Sequence, residues 1–230
     1  MTQHIGIVAC SAEGAALCYR TICVEGADYM GRHAHPEVTM HTHPLSEYMY
    51  YIEKDDWKGV AGLMASSANK VAQVGADFAV CPDNTIHQAF ELAVEKSPIP
   101  WLHIAKEVAK EANCRDYNHL GILGTRFLME GPVYPDKLTA TDINYKIPEK
   151  EDRERINDII FNELVYGKFY AESRNYFSDV IGKLKEKGCD AVVLGCTEIP
   201  LLVTPESSPL PVLDSTRLLA RAALKKAVKV

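Results

Sequence analysis

No apolar run in this 230-residue chain approaches the roughly twenty residues a membrane helix needs. The opening residues, Met1-Thr2-Gln3-His4, lack the basic and apolar regions of a signal peptide. A cytoplasmic location with no membrane partner is therefore expected. No disulfide framework is visible either. Seven cysteines is an odd number, and without an export signal they read as reduced thiols. Basic tracts are missing: 25 Lys and Arg stand against 31 Asp and Glu, for a net charge of −6. That argues against a nucleic-acid partner. The small-residue turn Ser11–Gly14 matches neither the Walker pattern nor G-x-G-x-x-G, so no nucleotide cofactor is expected. There is no low-complexity linker, so any division of the chain is a hinge and not a tether.

What is present is enough apolar residue for a core, 47%, and one informative stretch, Gly188 to Pro200. Ala191–Leu194 reads as a short buried strand. Gly195 allows a sharp turn. Cys196 and Thr197 then lie at the carboxyl end of the strand, where open α/β sheets hold their ligands. A helix beginning near Glu198 is expected to favour an anion beside Cys196. On these local features alone, Cys196 is equally well an inert structural thiol.

An internal echo changes that balance. Gly75–His87 repeats the pattern, with Gly75 falling on Gly188, Asp77 on Asp190 and Asp83 on Cys196. Upstream, Gly6-Ile7-Val8 resembles Gly121-Ile122-Leu123. Gly6 to Asp83 is 77 positions and Gly121 to Cys196 is 75. The chain thus reads as two copies of an α/β half, residues 1–99 with 210–230 and residues 100–209. If the halves face each other, Asp83 and Cys196 form opposite walls of a cleft. Such a cleft suits a reaction that needs a proton-transfer group on each face of a carbon.

Strands are expected at 4–10, 37–43, 77–82, 119–123, 142–146, 191–194 and 210–213. The main helices are expected at about 12–24, 55–74, 104–113, 150–166 and 170–187, with a last one after Asp214. Ser11 is either a plain N-cap or a donor to a substrate carboxylate. Thr125 is a candidate carboxylate donor, and Arg126 is a carboxylate clamp or a surface ion pair. Lys168 can supply a fixed positive charge. His87, four residues past Asp83, either tunes that residue or is an ordinary surface histidine. His33, His35, His41 and His43 cluster without a zinc signature, so exposed or hydrogen-bonded histidines are expected and no metal.

Residues 4–14, 83–87, 121–130, 154–174 and 190–203 resemble the pyridoxal-phosphate-independent aspartate/glutamate racemase family. The most specific stretches are Leu123-Gly124-Thr125-Arg126, Ile159-Ile160-Phe161-Asn162-Glu163-Leu164 and Leu194-Gly195-Cys196-Thr197-Glu198-Ile199. The chain looks most similar to the bacterial branch specific for L-aspartate and L-glutamate. The resemblance implies two Rossmann-like α/β halves with parallel sheets related by a pseudo-twofold, a cleft between them, a homodimer, no cofactor, and a small amino-acid or dicarboxylate substrate. It implies Cys196 as one proton-transfer residue. Asn84, Thr85 and His87 match the Asn-Thr-x-His that follows the other, and Lys168 matches a position that binds substrate carboxylate. Two departures stand out: Asp83 occupies the first catalytic position, and Ala9-Cys10-Ser11 replaces a Gly-Gly pair.

The expected reaction is α-proton exchange between two bases, Cys196 on one face and Asp83 on the other. Ser11, Asn84, Thr85, Thr125 and Thr197 are the expected donors to the developing negative charge, with His87 and Glu198 in support. A single-cysteine decarboxylase or lyase, a non-catalytic dicarboxylate binder and a histidine-based metal hydrolase are the competing readings.

Overall fold

A computed structural model describes residues 2–229. Met1 and Val230, the outer bounds of the expected halves, lie outside the described residues. The chain forms two compact units, one running to Glu107 and resuming at Thr216, the other spanning Val108–Ser215.

The first unit holds β1 (Ile5–Ala9), β2 (Val38–Thr42), β3 (Phe78–Val80) and β4 (Trp101–Leu102). The second holds β5 (His119–Leu123), β6 (Asn144–Lys146), β7 (Ala191–Leu194) and β8 (Val212–Asp214). Every pairing is parallel, and the orders are β2-β1-β3-β4 and β6-β5-β7-β8. The expected class, two α/β halves with parallel sheets, is what the chain forms. The division between the units differs from the expected 99/100 and 209/210. Trp101 and Leu102 pair with Ala79 and Val80, so they belong to the first sheet. Val212–Asp214 pairs with β7, which keeps it in the second.

The apolar runs explain the cores. β1, β3, β5 and β7 are central strands and are buried almost throughout, as strands covered on both faces must be. Ile5, Ile7, Phe78 and Val80 pack with Cys18 and Ile22 of the helix Ala12–Glu25. Leu219, Ala220, Ala223 and Ala227 of the helix Ser215–Val228 join the same cluster. In the second unit, Val192 and Leu194 pack with Ile156, Ile159 and Ile160 of the helix Lys150–Asn162 and with Phe177, Val180, Ile181 and Leu184 of the helix Ala171–Glu186.

The echo is structural as well as sequential. Gly75 and Gly188 both sit at positive φ, +100° and +90°, where a side chain would be strained. Each turns the chain out of a helix toward its strand. Two residues on, Asp77 accepts from the His4 N–H at 2.7 Å. Asp190 likewise accepts from the N–H groups of Asn118, at 2.7 Å, and His119. Each carboxylate thus ties the start of a third strand to the start of its neighbour.

Candidate active site

In each sheet the chain moves from the first strand to a neighbour on one side and then crosses to the other side. This places a topological switch point between β1 and β3, and another between β5 and β7. Ligand crevices in such sheets form outside the carboxyl ends of the strands at that point. The first switch point carries Ser11 and Asp83, and the second carries Thr125 and Cys196.

At the first, the backbone N–H of Ser11 donates to Asp83 Oδ2 at 3.2 Å. The Ser11 hydroxyl accepts from the Gly14 N–H at 3.3 Å, so it caps the helix Ala12–Glu25. Asn84 is buried and opens a 3-10 turn over Thr85–Ala89, and an α-helical turn follows at Phe90–Val94. Thr85 is half-buried. His87 is buried, at 4% exposure, which removes the surface reading. Its Nε2 accepts from the Ile104 N–H at 3.3 Å. The ring proton is therefore on Nδ1, which donates to the Asp83 carbonyl at 2.8 Å. His87 fixes the backbone of Asp83 by this bond, and its ring stacks on Phe90.

Two thiols that feel the charge of Asp83, Cys18 and Cys81, are unsuited to proton transfer. Burial, reinforced by Asp83, pushes the Cys18 thiol up to about 12. Burial and Asp83 likewise drive Cys81 well above its ordinary value, outweighing a bond to the Asp83 carbonyl. Cys81 is therefore poorly suited to stand in for Asp83 at the position where a proton-transfer residue was expected. Asp83 itself is partly exposed, whereas Cys81, Pro82 and Asn84 around it are buried.

The second switch point has the same exposure pattern. Cys196 is partly exposed between buried Gly195 and buried Thr197. Gly195 is required there by close approach. A Cβ would lie 2.7 Å from the Leu123 carbonyl oxygen and 2.5 Å from Leu128 Cδ2. The Gly195 N–H donates to that same carbonyl at 2.7 Å. Thr125 caps its helix by accepting from the Leu128 N–H at 3.2 Å.

The expected helix after Cys196 is a single turn, Ile199–Leu202. Four residues do not build the aligned dipole that was expected to favour an anion at the sulfur. The neighbour that matters is Glu198, buried at 3% exposure. Its Oε2 accepts from Cys196 Sγ at 2.9 Å and from the Thr197 hydroxyl at 2.6 Å. The thiol proton thus points at a carboxylate. Thr197 directs its one hydroxyl proton to Glu198, so in this arrangement that hydroxyl does not donate to a substrate.

Lys168 lies in an exposed loop, with Nζ 5.8 Å from the Tyr166 ring centroid. Arg126 is exposed, its guanidinium 5.4 Å from the Phe127 ring, and its backbone N–H donates to Asn157. The histidine cluster is held by protein groups. Lys70 Nζ donates to His41 Nε2 at 3.0 Å, and His41 Nδ1 meets Ser67 Oγ at 2.9 Å. His43 Nε2 meets Ser66 Oγ at 3.2 Å, and His35 bonds the Pro36 carbonyl. His33 takes a positive φ of 66° in a turn. Among the described residues, no group of three His, Cys, Asp or Glu side chains is placed to hold a metal ion.

A family model for the Asp/Glu/hydantoin racemases matches residues 7–223. The chain belongs to that family. A Yersinia pestis structure described as that of a candidate Asp/Glu racemase has a TM-score of 0.89 at 31% identity, over 98% of this chain and 99% of its own. An aspartate racemase homologue from Pyrococcus horikoshii OT3 shares the fold, with a TM-score of 0.84 at 23% identity over 99% of each chain. The broad specificity amino-acid racemase RacX of Bacillus subtilis (strain 168) is 20% identical over 173 residues, 75% of this chain and 73% of its own length.

Sequence reasoning missed two groups on the helix Ala171–Glu186. Ser173 donates to Glu163, and Arg174 Nε donates to the Leu202 carbonyl at 3.1 Å. Neither position carries a motif of its own. Their importance comes from which loops they tie down.

Proposed function

We propose that the protein is a cofactor-independent amino-acid racemase of the aspartate/glutamate type. One observation carries the reading. At each of two equivalent switch points, one titratable side chain, Asp83 or Cys196, is partly exposed between buried neighbours. Racemisation needs one proton-transfer group for each face of the α-carbon. Asp83, receiving the Ser11 N–H, acts as a carboxylate base. Cys196, its proton directed at Glu198, acts as the acid, and the roles reverse for the other enantiomer. Turnover in the first direction leaves Asp83 protonated and Cys196 as the thiolate, the pair that the other enantiomer needs, and Glu198 orients the sulfur. Ser11, Asn84, Thr85 and Thr125 stabilise the developing carbanion, and Lys168 binds a substrate carboxylate. A small amino acid or dicarboxylate as substrate, a homodimer and a cytoplasmic location go with the same reading.

The burial of Cys18 and Cys81 favours a second reading. With one accessible thiol beside a carboxylate, protonation from one face alone would suit a decarboxylase or lyase acting on small dicarboxylates.

Proton NMR in deuterated buffer, with each enantiomer of aspartate and glutamate, separates the two. Loss of the α-proton signal from either amino acid is the expected result. No exchange from any of the four would reject the racemase and leave the one-sided chemistry.

A further inference from the structure

The loop carrying Lys168 is exposed, yet its backbone is tied to Glu163. The helix Lys150–Asn162 ends at Glu163, where the backbone leaves helical geometry at φ −124°, ψ −65°. The Glu163 carbonyl accepts from the N–H of Tyr166 at 3.1 Å and from the N–H of Lys168 at 3.0 Å. Gly167 supplies the left-handed residue between them, at φ 69°. The Glu163 carboxylate accepts from the hydroxyl of Ser173, which is buried at 3% exposure. Ser173 lies in the first turn of the helix Ala171–Glu186, whose N-cap, Tyr170, makes no side-chain cap bond. A carboxylate at that end is favoured by the helix dipole. The next residue, Arg174, holds the Leu202 carbonyl, at the end of the turn that follows Cys196-Thr197-Glu198. One helix turn therefore anchors both the lysine loop and the cysteine loop of the second unit.

We propose that Glu163, latched to Ser173, is a positioning residue that fixes Lys168 for substrate carboxylate binding. This rests on the proposed role of Lys168, and the test separates the two. Without the latch, the carboxylate no longer joins residue 163 to the core, and the loop opens locally while both units stay folded. Lys168 is also a trypsin site, so cleavage after it reports loop order whether or not the protein turns over.

The variants are Glu163→Ala, Ser173→Ala, Glu163→Gln and Lys168→Ala. In Glu163→Ala and Ser173→Ala, cleavage after Lys168 should rise about tenfold with cleavage elsewhere unchanged, because local opening governs it. KM for the exchanging amino acid should rise about tenfold with kcat within about twofold, the signature of lost uniform binding. Glu163→Gln still accepts from Ser173 and should restore both readouts. Unchanged cleavage after Lys168 in the first two variants would overturn the latch. Faster cleavage with unchanged KM would overturn its role in positioning. Unchanged KM in Lys168→Ala would instead refute the underlying role of the lysine, while the proteolysis result still decides the latch.

Discussion

The two units share one frame and differ where it meets chemistry. Strand order, the positive-φ glycine and the aspartate clamp are common to both. Even the lysine five residues before the glycine is repeated, as Lys70 and Lys183. In the second unit Lys183 bonds both carboxylate oxygens of Asp152, at 2.9 Å each. In the first unit Lys70 donates to the neutral ring of His41. At the end of the third strand, the first unit presents a carboxylate that accepts a backbone N–H, and the second a thiol that donates to a carboxylate. Repetition of the frame therefore fixes where the groups stand without fixing which groups they are. The inferred racemase has unlike acids at like positions.

The largest test removes the thiol. Cys196→Ala should lower α-proton exchange of both enantiomers by about 10³-fold, the scale of lost acid–base catalysis. Near-normal turnover in that variant would end the two-base reading. Asp83→Asn should act unequally, slowing exchange of one enantiomer by about 10²-fold more than the other's. Asp83→Cys, which makes the units alike, should narrow the gap between enantiomers. Equal effects of Asp83→Asn on both would show that the asymmetry lies elsewhere.

The frame can be compared through Gly6 and Gly121. A Cβ on Gly6 would meet Val71 Cγ2 at 2.7 Å, Ala76 Cβ at 3.1 Å and the Phe78 carbonyl at 3.2 Å. On Gly121 its three nearest atoms would all belong to Leu184, the closest being Cδ1 at 2.9 Å. The end of a leucine can rotate away and a backbone carbonyl cannot. Gly6→Ala should cost about 2 kcal/mol and Gly121→Ala about 1 kcal/mol in denaturant melts. The reverse order would mean that the first unit is the more adaptable.

The smallest effects are in pH. Burial pushes the Asp152 carboxyl up, but bonds from Lys183 and Tyr176 outweigh it and hold the group below its ordinary value. Its stabilisation is present above the unfolded value, ~3.9, and is lost as pH falls toward the lower folded value. The side chain of Lys183 is 55% exposed, so Asp152→Asn should cost only about 1 kcal/mol near neutrality, and the gap should close in strong acid. His41 is lowered by burial, by Lys70 and by His43. The stability tied to its neutral ring is present above ~6.5 and fades as pH falls through that region. The first unit should therefore lose protection from hydrogen exchange at a higher pH than the second. Simultaneous loss would show that the two lysine contacts are not the acid-sensitive points.

Much of this frame was legible because apolar runs and glycines report backbone and burial directly. His119–Leu123 and Ala191–Leu194 form strands with the expected bounds. The helix Leu45–Ile52 was not expected. Its buried face is only Tyr48 and Ile52, within a segment rich in tyrosine that shows no clear period. The site was legible as a set of positions, Asp83 and Cys196 above all. The partners of its side chains were not. Nothing in Cys-Thr-Glu states that the glutamate turns back to accept from both residues before it, or that His87 gives its proton to a backbone carbonyl. Those depend on rotamers chosen by packing from distant segments, such as Ile104 beside His87.

The helix Ser215–Val228 supplies Leu219, Ala220, Ala223 and Ala227 to the core of the first unit, and its Ala227 carbonyl accepts the Gln3 N–H at 2.9 Å. On the ribosome, the segment that closes the first sheet's core therefore emerges after the entire second unit. The second unit can fold while the chain is still being made, whereas Ile5, Ile7 and Phe78 must wait with part of their cover absent. The order in which the units complete their cores thus runs opposite to the order of the sequence, and the nascent first unit is where a chaperone would find exposed apolar surface.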